Sequence, residues 1–571
     1  MNKIVIIVAA LLQLAFCKTV YYDWNVTYTH AAPDGFLRRV IGINNQWPCP
    51  QLDVDLGDEV VVNLYNALPD QAVSLHWHGI HQNGTNEMDG AVGFVQCPVA
   101  PGHMFTYRWK VSLLCLQYVH NLTCQADQPG TYWYHSHDAG QYPDGLWGPL
   151  IVHDPNPPFT FDEEITITFT DWFHQEMPQL MTAYQSHADE AEDGSPNPDV
   201  ALINTGVNVS IPVRPGKTYF VHIICPSNYV GHAWLFDGHP QTTVEVDGVY
   251  VVPQLVNNGD DQFPLTRIAP GQRQGVLIQT KNDTSRNYAI FDTMDVNMMF
   301  INKGIIPPPS DYNPNATAWL IYNDTAPLPD PPVFYSLGNA DFYDDVNYVP
   351  LDKEPLLEPV DRQIILNMNS ANISGISRFV MNNLTYIGAD VPSLYTALSV
   401  PGDLSSDPTV YGDTDSFIFK HNEIVELVLN NLNTNLHPFH LHGHQFQLLQ
   451  RTLPKTGTWP GYTNSSQTPV KRDTVMLEDE AYAVIRFRAD NPGVWAFHCH
   501  IETHVVSGFS ATFIEAPEVF TSSGDRIRIP QNHIDACKAY PMAFRGNAAG
   551  NVWNPLNLTN EPDSVLDSPK E

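Results

Sequence analysis

The chain has 571 residues, 62 acidic against 28 basic side chains, and a formal net charge of -34 at pH 7. That surplus of negative charge disfavours nucleic acid and anionic membrane as partners, because both are held by basic surfaces. With 43% hydrophobic residues, the length supports three or four domains of ordinary size, each with its own core.

Residues 1–17 read as a secretory signal: Lys3, an apolar run from Ile4 to Leu14, and Ala15-Phe16-Cys17 as the cleavage site. The run is short for a bilayer, and nothing later approaches the about 18 to 20 consecutive apolar residues that a span needs, so no membrane span is expected. The mature chain is expected outside the cell or at its surface. Asn-X-Ser/Thr sequons, as at Asn25, Asn83, Asn208 and Asn464, fit a secreted glycoprotein.

Runs rich in Val, Ile, Tyr and Thr follow, broken by Gly, Pro and Asn, as in DEVVVNLYNAL (58–68), DEEITITFTDW (162–172) and NEIVELVLNNL (422–432). They predict β-sandwich strands, and no long amphipathic helix stands out. GDEVVVNLYN (57–66), PGKTYFVHII (215–224) and HNEIVELVLNN (421–431) share a turn, a polar start and a β-rich strand, which predicts one module used three times. The Pro-rich stretch from Ile306 to Pro359 reads as a long connection between the second and third modules.

Four motifs carry the chemistry: HWHG (76–79), YHSH (134–137), HLHGH (440–444) and HCHIETH (498–504). Strand side chains alternate between faces, so histidines two apart point the same way and grip metal beside one strand. In HCH the cysteine points the other way. His498 and His500 can therefore hold one copper cluster while Cys499 binds a separate copper behind it. Among 23 histidines in a chain of this length, chance gives roughly one His-X-His pair, and this chain has five if His442/His444 is counted.

These motifs, with VIGINNQWP (40–48), DQPGTYWYHSH (127–137) and ADNPGVWAFHCHIE (489–502), resemble those of the multicopper oxidases, in the branch of fungal iron-uptake ferroxidases and their laccase-like relatives. The resemblance implies an all-β fold of three consecutive cupredoxin-like β-sandwich domains at 18–156, 157–305 and 360–540. A linker spans 306–359 and a C-terminal tail spans 541–571. It also implies four copper ions: a type 1 ion on His437, Cys499 and His504, and a type 2 ion on His76 and His440. A type 3 pair would take His78, His135 and His500 on one ion and His137, His442 and His498 on the other. Asp89 and Glu502 fall where the family delivers protons to O2. A family bridge corresponds to Cys97 with Cys537, and Cys49 with Cys225 is a second possible pair. Phe509, ten residues after Cys499, stands where an axial thioether would lie and cannot coordinate, which predicts a raised potential.

The donor is expected to be a small phenol, in a laccase-like reaction that reduces O2 to water, with pigment or polyketide precursors as candidates. Family ferroxidases bind Fe(II) through carboxylates beside the type 1 site, as a hard ion requires. Three such acids appear here as Asn433, Ser195 and Phe300, although Asp295 is kept and Asp189, Glu190, Glu192 and Asp193 lie close to Ser195 in sequence. Thr503 replaces the Trp usual beside the last type 1 histidine. The C-terminal NPLNLTNEPDSVLDSPKE carries no apolar anchor, which fits a free oxidase. Ferroxidase activity is the alternative. A copper electron carrier or store is a further one, which the full ligand set disfavours.

Between YRWK (107–110) and ADQPG, where family members pass almost directly, the chain inserts VSLLCLQYVHNLTCQ (111–125). Val-Ser can be written with a fungal splice donor, Leu-Thr with a branch point and Cys-Gln with an acceptor, so the insertion reads as a retained intron. The rival reading is a disulfide-tied loop through Cys115 and Cys124 with a glycan on Asn121. Sequencing the mature transcript is expected to show Lys110 joined directly to Ala126; finding the insertion in translated message would establish the loop.

Overall fold

The computed structural model describes residues 18–110, 113–116, 123–126, 128–185, 195–259, 264–299, 312–330, 342–522 and 527–559. The signal at 1–17, the end of the tail, the acids Asp189, Glu190, Glu192 and Asp193, and Phe300 lie outside these residues. Within the insertion, the backbones of Leu113–Leu116 and Thr123–Ala126 pair antiparallel; the rest of 111–125 lies outside them as well.

Three consecutive β-sandwiches, cupredoxin-like in build, make up the chain. The first packs a sheet of Arg38–Ile43, Thr19–Ala31, Glu59–Asn66 and Met104–Lys110 against one of Leu52–Asp55, Trp147–His153, Gly130–His135 and His76–His78. Period-two patterning places the strands that keep one exposed face: in Met104–Lys110, Phe105, Tyr107 and Trp109 are buried and the residues between them are not. The second and third sandwiches each join a six-stranded to a five-stranded sheet. The three sequence repeats fall on the equivalent strands Glu59–Asn66, Thr218–Ile224 and Ile424–Asn431, and each runs parallel to the first strand of its domain.

One strand lies where a connection was expected. Asn315–Ile321 pairs with Asn208–Pro212 and Tyr288–Met294, so the second sandwich continues past residue 305. The proline content around it misleads because the prolines sit on either side of the strand rather than in it.

The disulfide Cys97–Cys537 ties the first sandwich to the helix Gln531–Ala539. Ala536 on that helix joins the first domain's core. Cys49 and Cys225 are both buried free thiols, so the second candidate bridge is not formed.

First and second domains also meet at His153, whose ring faces Asp53 at 3.2 Å and Glu164 at 3.0 Å. Hydrogen bonding to Asp53, then to Glu164, raises its pKa from 6.5 to about 10. A raised histidine pKa contributes stability that is complete below the unfolded value of 6.5 and is lost as pH rises through about 10. His153→Gln is therefore expected to destabilise the protein at pH 6 and to match the parent above pH ~10 in denaturant unfolding. An equal gap at both pH values would assign His153 a packing role instead.

Candidate metal centre

The strand His437–Leu441 lies beside Gly493–Cys499, with Phe439 opposite Cys499 and His440 opposite His498. In the first domain His76–His78 lies beside Gly130–His135, with His76 opposite His135. The two strand pairs meet across the boundary between first and third domains. Asn86 stitches that boundary: its Nδ2 donates to the Val494 carbonyl at 2.8 Å, and its Oδ1 accepts the Val494 N–H at 3.0 Å.

Two groups of ligand atoms result. His437 Nδ1 and His504 Nδ1 lie 3.8 and 3.5 Å from Cys499 Sγ, and 3.1 Å from each other. On the other face of the same strand, His442 Nε2 is 3.0 Å from His498 Nε2, His137 Nε2 is 3.4 Å from His498 Nε2, and His500 Nε2 is 3.2 Å from His78 Nδ1. The ligand atoms of His137, His442 and His498 cluster within 4.8 Å, as do those of His76, His440 and His442 and those of His76, His78 and His135. His135 thus groups most tightly with His76 and His78, while its ring centroid is 5.4 Å from that of His500.

The donor chemistry fits metal ions rather than a hydrogen-bonded core. Nδ1 of His76, His135, His440 and His498 meets the backbone carbonyl of Asp89, Ser136, Asp473 and Cys499 at 2.9, 2.9, 2.9 and 2.7 Å. His442 Nδ1 meets Asp89 Oδ2 at 2.8 Å. Each ring then donates its one N–H outward and turns its Nε2 lone pair inward. Among the described residues, Nε2 of His76, His135 and His440 finds no hydrogen-bond partner. Burial, reinforced by neighbouring imidazoles, holds His78, His135, His137, His442 and His500 well below 6.5 and His498 at about 3, so the rings stay neutral and able to ligate.

Asp89 is fully buried, with Oδ1 3.2 Å from His76 Nδ1. Glu502, two residues after His500, opens the short helix Glu502–Val506. Burial, then the Asp138 carboxylate, pushes its pKa up to about 8. Phe509 is buried, stacks on Phe379 at 4.7 Å and presents its ring to His437 at 5.0 Å. Asn433 and Ser195 serve as structural hydrogen-bonding groups. Asn433 Oδ1 accepts the Asn435 N–H at 2.8 Å, and Ser195 Oγ pairs with Thr503 Oγ1 at 2.7 Å.

Sequence reasoning missed Asp473 and Arg273. Asp473 precedes the strand Thr474–Leu477, and its Oδ1 lies 3.5 Å from both His78 Nε2 and His440 Nδ1. Arg273 grips its two oxygens at 2.7 and 2.6 Å. Neither residue belongs to a spaced motif.

Three family models, each described as multicopper oxidase, match residues 25–157, 163–325 and 386–519. The chain belongs to the multicopper oxidase family. It is a copper-dependent oxidoreductase that takes electrons from a reducing substrate to O2, with one type 1, one type 2 and a pair of type 3 coppers as its cofactor. It is 42% identical over 568 residues to the iron transport multicopper oxidase FET3 of Gibberella zeae, covering 98% of this chain and 86% of that protein. The iron transport multicopper oxidase fetC of Epichloe festucae is also 42% identical, over 97% of this chain and 85% of its own. Among solved structures, that of Fet3p, a multicopper oxidase that functions in iron import, superposes with a TM-score of 0.87 at 33% identity, covering 96% of this chain and all of that one. A laccase from Botrytis aclada shares the fold, with a TM-score of 0.76 at 24% identity over 92% of each chain.

These relatives overturn the expectation of a phenol or pigment substrate for this multicopper oxidase. That expectation counted acids at single aligned positions. The structure places others nearby: Leu477 pairs with His437, and Glu478, Asp479 and Glu480 follow it on a turn whose Glu480 N–H donates to the Asn433 carbonyl. Acids at these positions were not weighed in that expectation. Among the described residues no helix is long and apolar enough to cross a membrane.

Proposed function

We propose that this multicopper oxidase is a ferroxidase of the cell exterior or surface: four Fe(II) give four electrons, and one O2 with four protons becomes two waters. The 42% identity to iron transport oxidases over 98% of the chain carries this reading. The overall charge of -34 and the acids Asp479 and Glu480 add a physical ground, since both attract a dication.

In this reading His437, Cys499 and His504 hold the type 1 copper, and His76 with His440 the type 2. His78, His135 and His500, and His137, His442 and His498, hold the type 3 pair. Copper supplies the one-electron chemistry that these side chains cannot. Cys499 is bonded through the backbone to His498 and His500, which gives an uninterrupted covalent path from the outer group to the inner one. Asp89 fixes the His442 ring by accepting its Nδ1–H. Asp89 and Glu502 are the acids assigned to proton delivery. Phe509 seals the outer group with an apolar ring and offers no ligand atom.

Oxygen uptake by the copper-loaded protein is expected to show a much higher specificity constant for Fe(II) than for a methoxyphenol. The reverse order would sink the ferroxidase reading. Cys499→Ser is expected to abolish the blue absorption and Fe(II) oxidation together, and persistence of the blue colour would displace Cys499 from the type 1 site. Phe509→Met supplies a thioether and is expected to lower the type 1 potential, read by redox titration of the blue band. An unchanged potential would show that this side chain does not face the ion.

A further inference from the structure

The middle domain carries none of the proposed copper ligands, yet its loop Ala269–Arg273 forms a wall of the inner histidine cluster. Gly271 has φ of +86°, and a Cβ there would lie 2.8 Å from His500 Cδ2 and 3.1 Å from His78 Cε1. Gln272 Nε2 donates to the Thr474 carbonyl at 3.0 Å. Arg273 follows, fully buried at the start of the strand Arg273–Gln279.

Its guanidinium is used on every side. Nε donates to the Thr131 carbonyl at 3.1 Å, Nη1 to the Gly271 carbonyl at 3.1 Å and to Asp473 Oδ1 at 2.7 Å, and Nη2 to Asp473 Oδ2 at 2.6 Å. This is a two-pronged fork on a carboxylate, a geometry that fixes orientation as well as charge. The first domain makes room for it: Gly79, the glycine of HWHG, has φ of +90°, and a Cβ there would collide with Arg273 Nη2.

Asp473 passes that orientation on. Its carbonyl accepts His440 Nδ1–H at 2.9 Å and the Leu441 N–H at 3.0 Å, and its Oδ1 faces His78 Nε2 at 3.5 Å. His78 is turned differently from its neighbours: it meets His500 through Nδ1, whereas His442, His498 and His500 point Nε2 inward. An anion on the Nε2 side is what keeps a proton there and leaves Nδ1 as the lone pair.

We propose that Arg273 of the middle domain is a positioning residue for oxygen reduction: by clamping Asp473 it sets the ring orientation and tautomer of His78 and His440, and so the copper affinity of the inner cluster. This rests on the ligand assignment above. Arg273 touches neither O2 nor iron; its contribution is transmitted through one carboxylate. The energetic logic is that of a buried ion pair, where removing one partner leaves the other charge uncompensated.

The test uses the full, copper-loaded chain. Arg273→Gln is expected to lose type 2 copper to a chelator about 10- to 100-fold more readily than the parent, with a diminished type 2 electron paramagnetic resonance signal and intact type 1 blue absorption. Arg273→Lys keeps the charge without the fork and is expected to fall between the two. Asp473→Asn, which keeps shape and removes the anion, is expected to give the same lesion, and the double variant Arg273→Gln/Asp473→Asn to be no worse than either single change. A merely structural arginine would instead lower blue absorption and type 2 signal in parallel, or add to the Asp473 lesion, and either result overturns the proposal. So does a parental type 2 signal and chelator resistance in Arg273→Gln. If that variant does not fold, Asp473→Asn decides: a selective type 2 loss supports the clamp, and an unchanged signal removes it. His440→Gln separates the two levels. If it leaves the type 2 signal in place, the ligand assignment fails; if it removes the signal while Arg273→Gln does not, only the clamp fails.

Discussion

Eight imidazoles crowded into one dry seam between two domains must all remain neutral, and each must surrender its single N–H to a protein oxygen so that its other nitrogen faces inward. The carbonyls of Asp89, Ser136, Asp473 and Cys499 and the carboxylate of Asp89 meet this requirement for five of the eight, His76, His135, His440, His498 and His442. Protonation is opposed twice, by burial and by the neighbouring rings. A cluster of this kind is poorly satisfied without cations, because lone pairs 3.0 to 3.4 Å apart repel unless something positive lies between them. The surrounding architecture follows from it: first and third domains must close on each other, and Asn86 and Cys97–Cys537 hold them there.

The middle domain shows what stands in a cupredoxin where a copper-binding thiolate is absent. Its strand His232–Phe236 stands where His437–Leu441 stands in the third domain, and Trp234 lies opposite Asp292 as Phe439 lies opposite Cys499. His232 and Asp292 therefore occupy the places of His437 and Cys499. A carboxylate in place of the thiolate changes the outcome: Asp292 accepts His232 Nδ1–H at 2.9 Å, and Nε2 meets Ser227 Oγ at 2.9 Å. Both ring nitrogens are consumed, and no lone pair is left for a metal. The domain is reduced to a buried hydrogen-bonded core there and serves the centre from its edge, through the loop that ends in Arg273.

Sequence alone revealed what has a period. His-X-His spacing reports the alternation of a strand directly, so HWHG, YHSH, HLHGH and HCHIETH were legible as rows of side chains on one face, with Cys499 on the other. The repeated strands were legible for the same reason. Asn315–Ile321 was not, because flanking prolines outweighed its pattern. Asp473 is one of 62 acids and Arg273 one of 28 bases, and they meet across 200 residues. No local signal marks such a pair. HWHG did contain an unread trace of it, since Gly79 is the vacancy that the guanidinium fills.

The substrate reading failed for a related reason. Single positions were taken as the unit of charge, so Asn433 and Ser195 counted as losses. Attraction of a hydrated dication depends on the summed field at the rim, which a facing turn supplies as well as the original strand does. Glu478, Asp479 and Glu480 follow Leu477, the residue opposite His437, and a backbone bond from Glu480 to Asn433 keeps the turn against that rim. Glu478 is paired with Arg267, which also pairs with Asp295, leaving the half-buried Asp479 and the exposed Glu480 as the charge of the turn's outer part. Deep carboxylates at this rim thus serve the fold through Arg267, while the shallow ones set the field an arriving ion meets. An acid can therefore be absent at one position of the rim while its neighbours keep the summed field.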